Sequence, residues 1–265
     1  MSFVLSPVSC GRLESVDVSA ALVMDGVVAY IDATDVIQGA KIGSACDTPI
    51  FVDDKISYYG QPIAAIVAID HETAWRAAGA VRVKCSENVP VLTIEKIAMW
   101  YIVIWSKYDR VVEGEIRIGG QEHFYLETQQ CIVVPLEDDE LIVHVSAQGT
   151  KGIQEELTKC LGIPAHKIVV KVARVGGGFG GKENAPELIA VPTAIAARKL
   201  RRPVRFSLER FDDMVISGTR HPFRFDYKVA LDLSGKFRDY KVSAYSNCGH
   251  TLDLSAGVTR TRYLV

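Results

Sequence analysis

Apolar residues along this chain gather in short branched-aliphatic blocks separated by polar, glycine- and proline-bearing stretches, and the blocks predict strands alternating with helices. Residues 27–33, 64–69, 81–85, 167–175 and 203–208 read as strands, because β-branched side chains pack well on a pleated surface. Residues 49–53 and 55–59 read as a further strand pair, and 224–231 with 237–245 as a hairpin across a turn at 232–235. A helix is predicted over 71–80, with Asp70 as its N-cap. A second is predicted over 184–200, with Asn184 as N-cap, Glu187 three residues on and Pro186 in the first turn. Arg198 and Lys199 suit its last turn, and Pro192 predicts a kink. Tyr58 and Tyr59 sit at a turn before Pro62 and read as packing residues.

These elements divide into a first mixed α and β part and a second one. The boundary falls between Pro90 and about Glu113, where Trp100 and Trp105 lie in an apolar patch that is odd for a linker and reads as an interface. The chain shows no internal repeat and no low-complexity segment.

Between the strand at 167–175 and the helix at 184–200 runs GGGFGGKE, residues 176–183. Glycine loses the most backbone entropy on folding, so five glycines around Phe179 are hard to explain as packing and suggest close approach of backbone to a ligand. Strand, glycine loop and helix start together leave free N–H groups and a positive dipole end, a setting for an anion or an electron-rich oxygen. Gly176, Gly178 and Gly181 satisfy the dinucleotide pattern G-x-G-x-x-G, with Glu209 as the ribose-binding acid. Residues 176–182 also match G-x-x-x-x-G-K, but Glu183 stands where a phosphate loop needs Ser or Thr and would repel a triphosphate. From the run alone a dinucleotide, another ligand and a structural glycine turn all stay open.

Composition narrows the partners. Among 265 residues, 48% are hydrophobic, enough for a substantial core, and the net charge of -2 points to neither nucleic acid nor an anionic membrane. The longest apolar run, 97–105, is too short to span a bilayer, and the first residues lack the charged start of a signal peptide. A soluble, cytoplasmic protein is the expectation. Cys10, Cys46, Cys85, Cys131, Cys160 and Cys248 form no C-x-x-C pair, which argues against a zinc site or a cysteine-ligated cluster and predicts reduced, mostly buried thiols.

Two further segments concentrate chemistry. In GGQEHFYLET, residues 119–128, a strand would place Gln121, His123 and Tyr125 on one face and Glu122, Phe124 and Leu126 on the other. Gln121 can donate to a ligand oxygen without carrying charge, or make a turn-side hydrogen bond. His123 reads as a general base or a hydrogen-bonded structural histidine. In SGTRHPF, residues 217–223, Ser217 and His221 could belong to a Ser-His-Asp set, yet no G-x-S-x-G elbow accompanies them.

Taken in order, GGQEHFYLET at 119–128, GGGFGGKE at 176–183, RPVR at 202–205 and SGTRHPF at 217–223 resemble the molybdenum hydroxylase family of xanthine dehydrogenases and aldehyde oxidases. The resemblance covers residues 11–254. It implies an α+β (mixed α/β) fold, with a small hammerhead-type α/β unit at 1–95, an atypical apolar linker at 96–112 and the start of a molybdopterin-binding domain at 113–265. It also implies a molybdenum–molybdopterin cofactor in which the dithiolene holds the metal and the protein supplies outer contacts. Gln121 then corresponds to a glutamine bonded to an oxygen of the metal, and Phe179 and Gly180 bring backbone beside it. Glu183 matches the acid that binds a purine in xanthine dehydrogenases and tilts the substrate from an aldehyde or N-heterocycle toward xanthine or hypoxanthine; its structural alternative is to favour the dipole at the helix start.

The implied reaction is hydroxylation of an electron-poor carbon, with a catalytic glutamate expected beyond Val265. FAD and 2Fe-2S clusters belong to further modules of the full-length enzyme, a homodimer, so the chain is expected to be a fragment inactive alone or a noncatalytic remnant. A purine-contacting arginine of the family would fall at Thr261, between Arg260 and Arg262. The competing dinucleotide reading requires a parallel sheet with strand 203–208 beside strand 167–175.

Overall fold

A computed structural model describes residues 1–37, 39–90, 105 and 108–258. The apolar segment around Trp100 and the positions Arg260, Thr261 and Arg262 lie outside the described residues. Two units interleave along the sequence: 1–90, 123–218 and 250–254 form one, and the described residues of 91–122, 219–249 and 255–265 the other.

In the first unit the chain opens with β1 (Ser2–Leu5), β2 (Gly11–Asp17), a short helix α1 (Ser19–Leu22), β3 (Val27–Ile31), β4 (Lys41–Ile42), β5 (Thr48–Pro49), β6 (Lys55–Ile56) and β7 (Pro62–Ala68). Helix α2 (His71–Ala80) and β8 (Arg82–Glu87) follow. β7 is the centre of an antiparallel sheet ordered β1-β7-β3. Its residues are buried from Pro62 to Val67, which is why it reads as an unbroken apolar run rather than an alternation. Helix α2 starts where predicted: the Asp70 side chain accepts from the Thr73 N–H at 2.7 Å. Its buried Ala74, Ala77 and Ala78 leave no bulk between helix and sheet. The predicted pairing of 49–53 with 55–59 does not form. β5 pairs with β4, and β6 pairs with Gly11 and Arg12 of β2. Period-two patterning marks extended backbone but carries no information about its partner.

The rest of this unit is a second layer. After β9 (Arg110–Ile118), which belongs to the other unit, come β10 (Gln130–Pro135), β11 (Leu141–Val145), α3 (Lys151–Leu161), β12 (Ile168–Lys171), α4 (Glu187–Leu200), β13 (Val204–Ser207) and α5 (Arg210–Ile216). The sheet runs β12-β11-β10-β13. Only β11 and β12 are parallel, and α3 is their crossover; β10 is antiparallel to both of its neighbours. Strand 203–208 therefore sits at the edge opposite strand 167–175, which overturns the dinucleotide reading. One core unites Val133, Val143, Leu157, Ile189, Ala194 and Phe206 with Phe3 and Ile31 of the first layer.

Two boundaries differ from expectation. The strand predicted at 167–175 stops at Lys171, five residues before Gly176. The helix predicted from Asn184 begins at Glu187 with Pro186 at the N-cap, because the Asn184 amide donates instead to Asp253 at 2.7 Å and to Ser44 at 3.0 Å. The helix then runs through Pro192 as one element.

The second unit is an antiparallel sheet ordered β15-β14-β9, built on the predicted hairpin of β14 (Phe223–Leu231) and β15 (Phe237–Ser246). Asp232 organises the turn, accepting from the Ser234 and Lys236 N–H groups at 2.9 and 3.0 Å. Trp105 lies under the Lys228 ammonium, 5.6 Å from the ring centre. Among the described residues no helix is long and apolar enough to cross a membrane. Only Cys131 and Cys160 are buried; Cys46 is exposed and the other cysteines are half-buried, which corrects the expectation of mostly buried thiols.

Candidate functional site

Most glycines of the 176–183 run are explained by packing, contrary to the sequence expectation. A Cβ on Gly176 would lie 2.5 Å from Cβ of Glu127, and one on Gly178 would lie 2.5 Å from Oε1 of Gln148. A Cβ on Gly181 would lie 2.6 Å from the His123 ring and 2.7 Å from the Tyr125 ring. Gly177 is required differently, by a φ of +96°. Gly180 alone has a left-handed φ of +89° with nothing within 4 Å of a built Cβ, so its free side is open. Phe179 beside it also has a positive φ, 53°, and is 76% exposed. A bulky residue held in that conformation at a loop tip is a feature that accompanies ligand sites.

The loop is pinned by polar side chains. The buried Lys182 donates to Glu127 and to Ser146, both at 2.9 Å, and its ammonium lies 4.9 Å from the centre of the Tyr125 ring. The same Glu127 oxygen accepts from Ser146 and from the Gly176 N–H, each at 2.6 Å. Partial burial opposes ionisation of Glu127, but these donors outweigh it and hold the carboxyl down at about 2. Gln148 Oε1 accepts from the N–H groups of Gly180 and Lys182 at 3.0 and 3.1 Å. Gly181 and Glu183 N–H groups close turns onto Gly178 and Gly180. The expectation of bare N–H groups is thus corrected for part of the run: the amides of Gly176, Gly180, Gly181, Lys182 and Glu183 are already engaged. With α4 starting at Glu187, the dipole end is not delivered at Glu183 either.

Beneath the loop lies a buried network that joins Tyr125 of the 119–128 segment to Gln129 and Asp213, which no motif announced. Tyr125 donates to Asp213 at 2.5 Å, and Asp213 also accepts from the Gln129 N–H at 2.6 Å. Gln129 Nε2 donates to Gly181 O at 2.8 Å and to the Tyr125 hydroxyl at 3.1 Å. Burial and the Asp213 carboxylate push the Tyr125 phenol up to about 12. Arg210 donates to the carbonyls of Tyr125 and Leu126 and lies 5.3 Å from the Phe124 ring centre. Residues 119–128 are therefore a loop shaped by long-range partners rather than a strand, although the His123 and Tyr125 rings do stack at 6.3 Å.

The structure places Phe179, Gly180 and Glu183 together on the loop of the first unit, with Glu183 exposed. Gln121 belongs to the second unit, bridged to Arg220, whose N–H donates to the Gln121 carbonyl at 3.0 Å. The imagined Ser-His-Asp set is not assembled: Ser217 bonds to Asp213, whereas His221 faces Ser255 at 2.6 Å. Among the described residues no three His, Cys, Asp or Glu side chains gather as a metal site.

Known proteins supply the context for this loop. Residues 1–88 match the aldehyde oxidase and xanthine dehydrogenase a/b hammerhead domain, and residues 102–264 match the molybdopterin cofactor-binding domain. A xanthine dehydrogenase/oxidase of Gallus gallus is 40% identical over 97% of this chain and 20% of its own length. A probable aldehyde oxidase of Caenorhabditis elegans is 39% identical over 98% of this chain and 22% of its own. The chain thus spans about a fifth of the length of these curated relatives. In fold it is similar to the aldehyde oxidoreductase of Desulfovibrio gigas, with a TM-score of 0.81 and 22% identity over 92% of this chain and 30% of that one. A hammerhead domain followed by a molybdopterin cofactor-binding domain places this chain in the aldehyde oxidase and xanthine dehydrogenase family.

Proposed function

We propose that this chain forms one wall of a molybdopterin site in a longer oxidoreductase that hydroxylates an electron-poor carbon of a purine. The observation that carries the reading is the locked loop tip, where Phe179 and Gly180 are both left-handed and the free side of Gly180 is open. That geometry fits a flat or bulky cofactor, because backbone without a side chain can lie against it. Phe179 and Gly180 would bring backbone beside the metal, and Gln121 would offer an uncharged amide donor. Bound molybdopterin supplies the redox centre for the hydroxylation.

Glu183 is assigned to the substrate. It is exposed, four residues ahead of α4, and its N–H closes the turn onto Gly180 O at 3.3 Å. Its carboxylate is free to accept N–H donors of xanthine or hypoxanthine, groups that an aldehyde lacks. Relatives named for xanthine and for aldehydes match almost equally well, so the choice of a purine rests on this residue. A catalytic glutamate, FAD, 2Fe-2S clusters and a second copy of the chain complete the proposed enzyme outside these residues.

The test uses the full-length protein that contains this chain. Molybdenum and pterin are expected on elemental and fluorescence analysis, and their absence would overturn the cofactor assignment. Glu183→Gln is expected to lower kcat/KM for xanthine about tenfold or more while sparing a small aldehyde and the molybdenum content. Equal loss on both substrates would remove Glu183 from substrate recognition.

A further inference from the structure

The face of the four-stranded sheet not covered by α3 and α4 carries a row of basic side chains with a hollow beneath them. Strand register makes the row explicit: Arg205 lies opposite Ile132, Ile132 opposite His144, and His144 opposite Lys171. One line across all four strands therefore presents Arg205, Ile132, His144 and Lys171, all exposed. Arg174, just past the end of β12, joins them around a hollow of about 170 Å³. The Arg205, Lys171 and Arg174 charges gathered around one hollow repel one another, so the arrangement calls for an anion or a strong solvent shell.

No carboxylate answers these charges among the described residues. Ion pairs of this unit include Lys167 with Asp138, Arg198 with Asp139, Lys199 with Asp35 and Lys182 with Glu127, and among the described residues none uses Lys171, Arg174 or Arg205. Glu127 lines the same hollow, but its charge is already met by Lys182, Ser146, Gly176 and Gln130. The hollow is far smaller than the roughly 300–1,000 Å³ of a drug-sized ligand site, which suits a single tetrahedral group. Guanidinium forks at Arg174 and Arg205 match oxyanion geometry, and Lys171 adds a point charge.

We infer that this hollow binds an oxyanion of the phosphate class, held by Arg205, Lys171 and Arg174 on the open face of the sheet. The oxyanion is either free phosphate or the phosphate monoester end of a larger ligand. Arg205 is fixed on β13 and Lys171 at the end of β12, with Arg174 three residues further on, and two guanidinium forks favour a polyoxygen anion over a monovalent halide.

Titration calorimetry and ³¹P line broadening of the full-length protein test this, with inorganic phosphate, methyl phosphate and chloride compared at equal ionic strength. Phosphate is expected to saturate with a Kd on the order of 1 mM, chloride to give no saturable signal, and Arg205→Gln with Lys171→Gln to weaken phosphate about tenfold or more. Lys167→Gln, whose partner is Asp138, is expected to leave binding unchanged. Methyl phosphate binding as tightly as phosphate supports the end of a larger ligand, and phosphate alone supports the free ion. A chloride response equal to that of phosphate, or undiminished binding in the double variant with intact circular dichroism, overturns the site. Molybdenum content is read separately, so this inference and the cofactor assignment can fail independently.

Discussion

Lys182 and Glu127 meet behind the glycine loop, Nζ to Oε2 at 2.9 Å, with the lysine side chain fully buried and the carboxylate 27% exposed. The pair ties the two ends of the loop together, since Glu127 also holds the Gly176 N–H and Lys182 is the residue after Gly181. Removing one partner would strand a charge in a partly closed site. Lys182→Met is expected to lower stability by about 2–4 kcal/mol in urea unfolding, less than a fully buried pair would lose because water still reaches Glu127.

Acid should unfasten the same clamp. The Glu127 pKa falls from 4.5 to about 2 in the folded state, so between those values the unfolded chain binds more protons and stability rises with pH. Its contribution is complete above pH 4.5 and is lost as pH falls toward 2, on the order of 3 kcal/mol in all. Unfolding followed from pH 5 to pH 2 is expected to show this loss in the wild type and a smaller one in Lys182→Met, where Glu127 titrates nearer its ordinary value. Identical acid limbs would remove the clamp from the explanation.

Alanine at two glycines should separate packing from access. Gly181→Ala drives a methyl into the His123 and Tyr125 rings at under 3 Å, and Tyr125 is buried with its hydroxyl committed, so a loss of about 1–3 kcal/mol is expected. Gly180→Ala meets no atom and pays only for its left-handed backbone, about 1 kcal/mol. If the open side of Gly180 faces the cofactor, the second variant loses molybdenum while staying folded. Retained molybdenum in Gly180→Ala would exclude that side as the contact.

How much of this was legible in the sequence follows the range of the interaction involved. Helix α2 with its Asp70 cap and the β14–β15 hairpin depend on neighbours a few residues away, and both appear where the pattern places them. The partners of β5 and β6 depend on chain closure, and the pattern misassigned them. The glycine run was recognisable as a loop, but the reason for most of its glycines lay in Glu127, Gln148 and Tyr125, 30 to 56 residues away along the chain. Asp213 and Gln129 carried no motif at all, because a buried carboxylate is disclosed only by what folds over it.

That network gives a further expectation. Tyr125→Phe removes the hydroxyl that donates to Asp213 and accepts from Gln129, leaving both polar groups buried with one partner fewer. A loss of about 1–3 kcal/mol in denaturant unfolding is expected. Because Gln129 also holds the Gly181 carbonyl at 2.8 Å, faster amide exchange around 180–182 should accompany it. Unfolding loss without any change in exchange there would confine the network to the core.

Glu187 should set an opposite pH dependence near neutrality. It lies in the first turn of α4 and is 5% exposed, with its Oε2 lacking any hydrogen-bond partner. Burial first, then the nearby Glu156 and Asp253 carboxylates, raise its pKa from 4.5 to about 7, against the Gly43 N–H and the Lys159 ammonium. Over that window the folded state binds more protons than the unfolded chain, so stability falls as pH rises and is lower by about 3 kcal/mol once pH 7 is passed. Glu187→Gln keeps the shape and removes the titration, so thermal midpoints measured from pH 5 to pH 8 should decline in the wild type and stay flatter in the variant. The variant is expected to be the more stable protein at pH 8, and parallel profiles would show that Glu187 is not the group responsible.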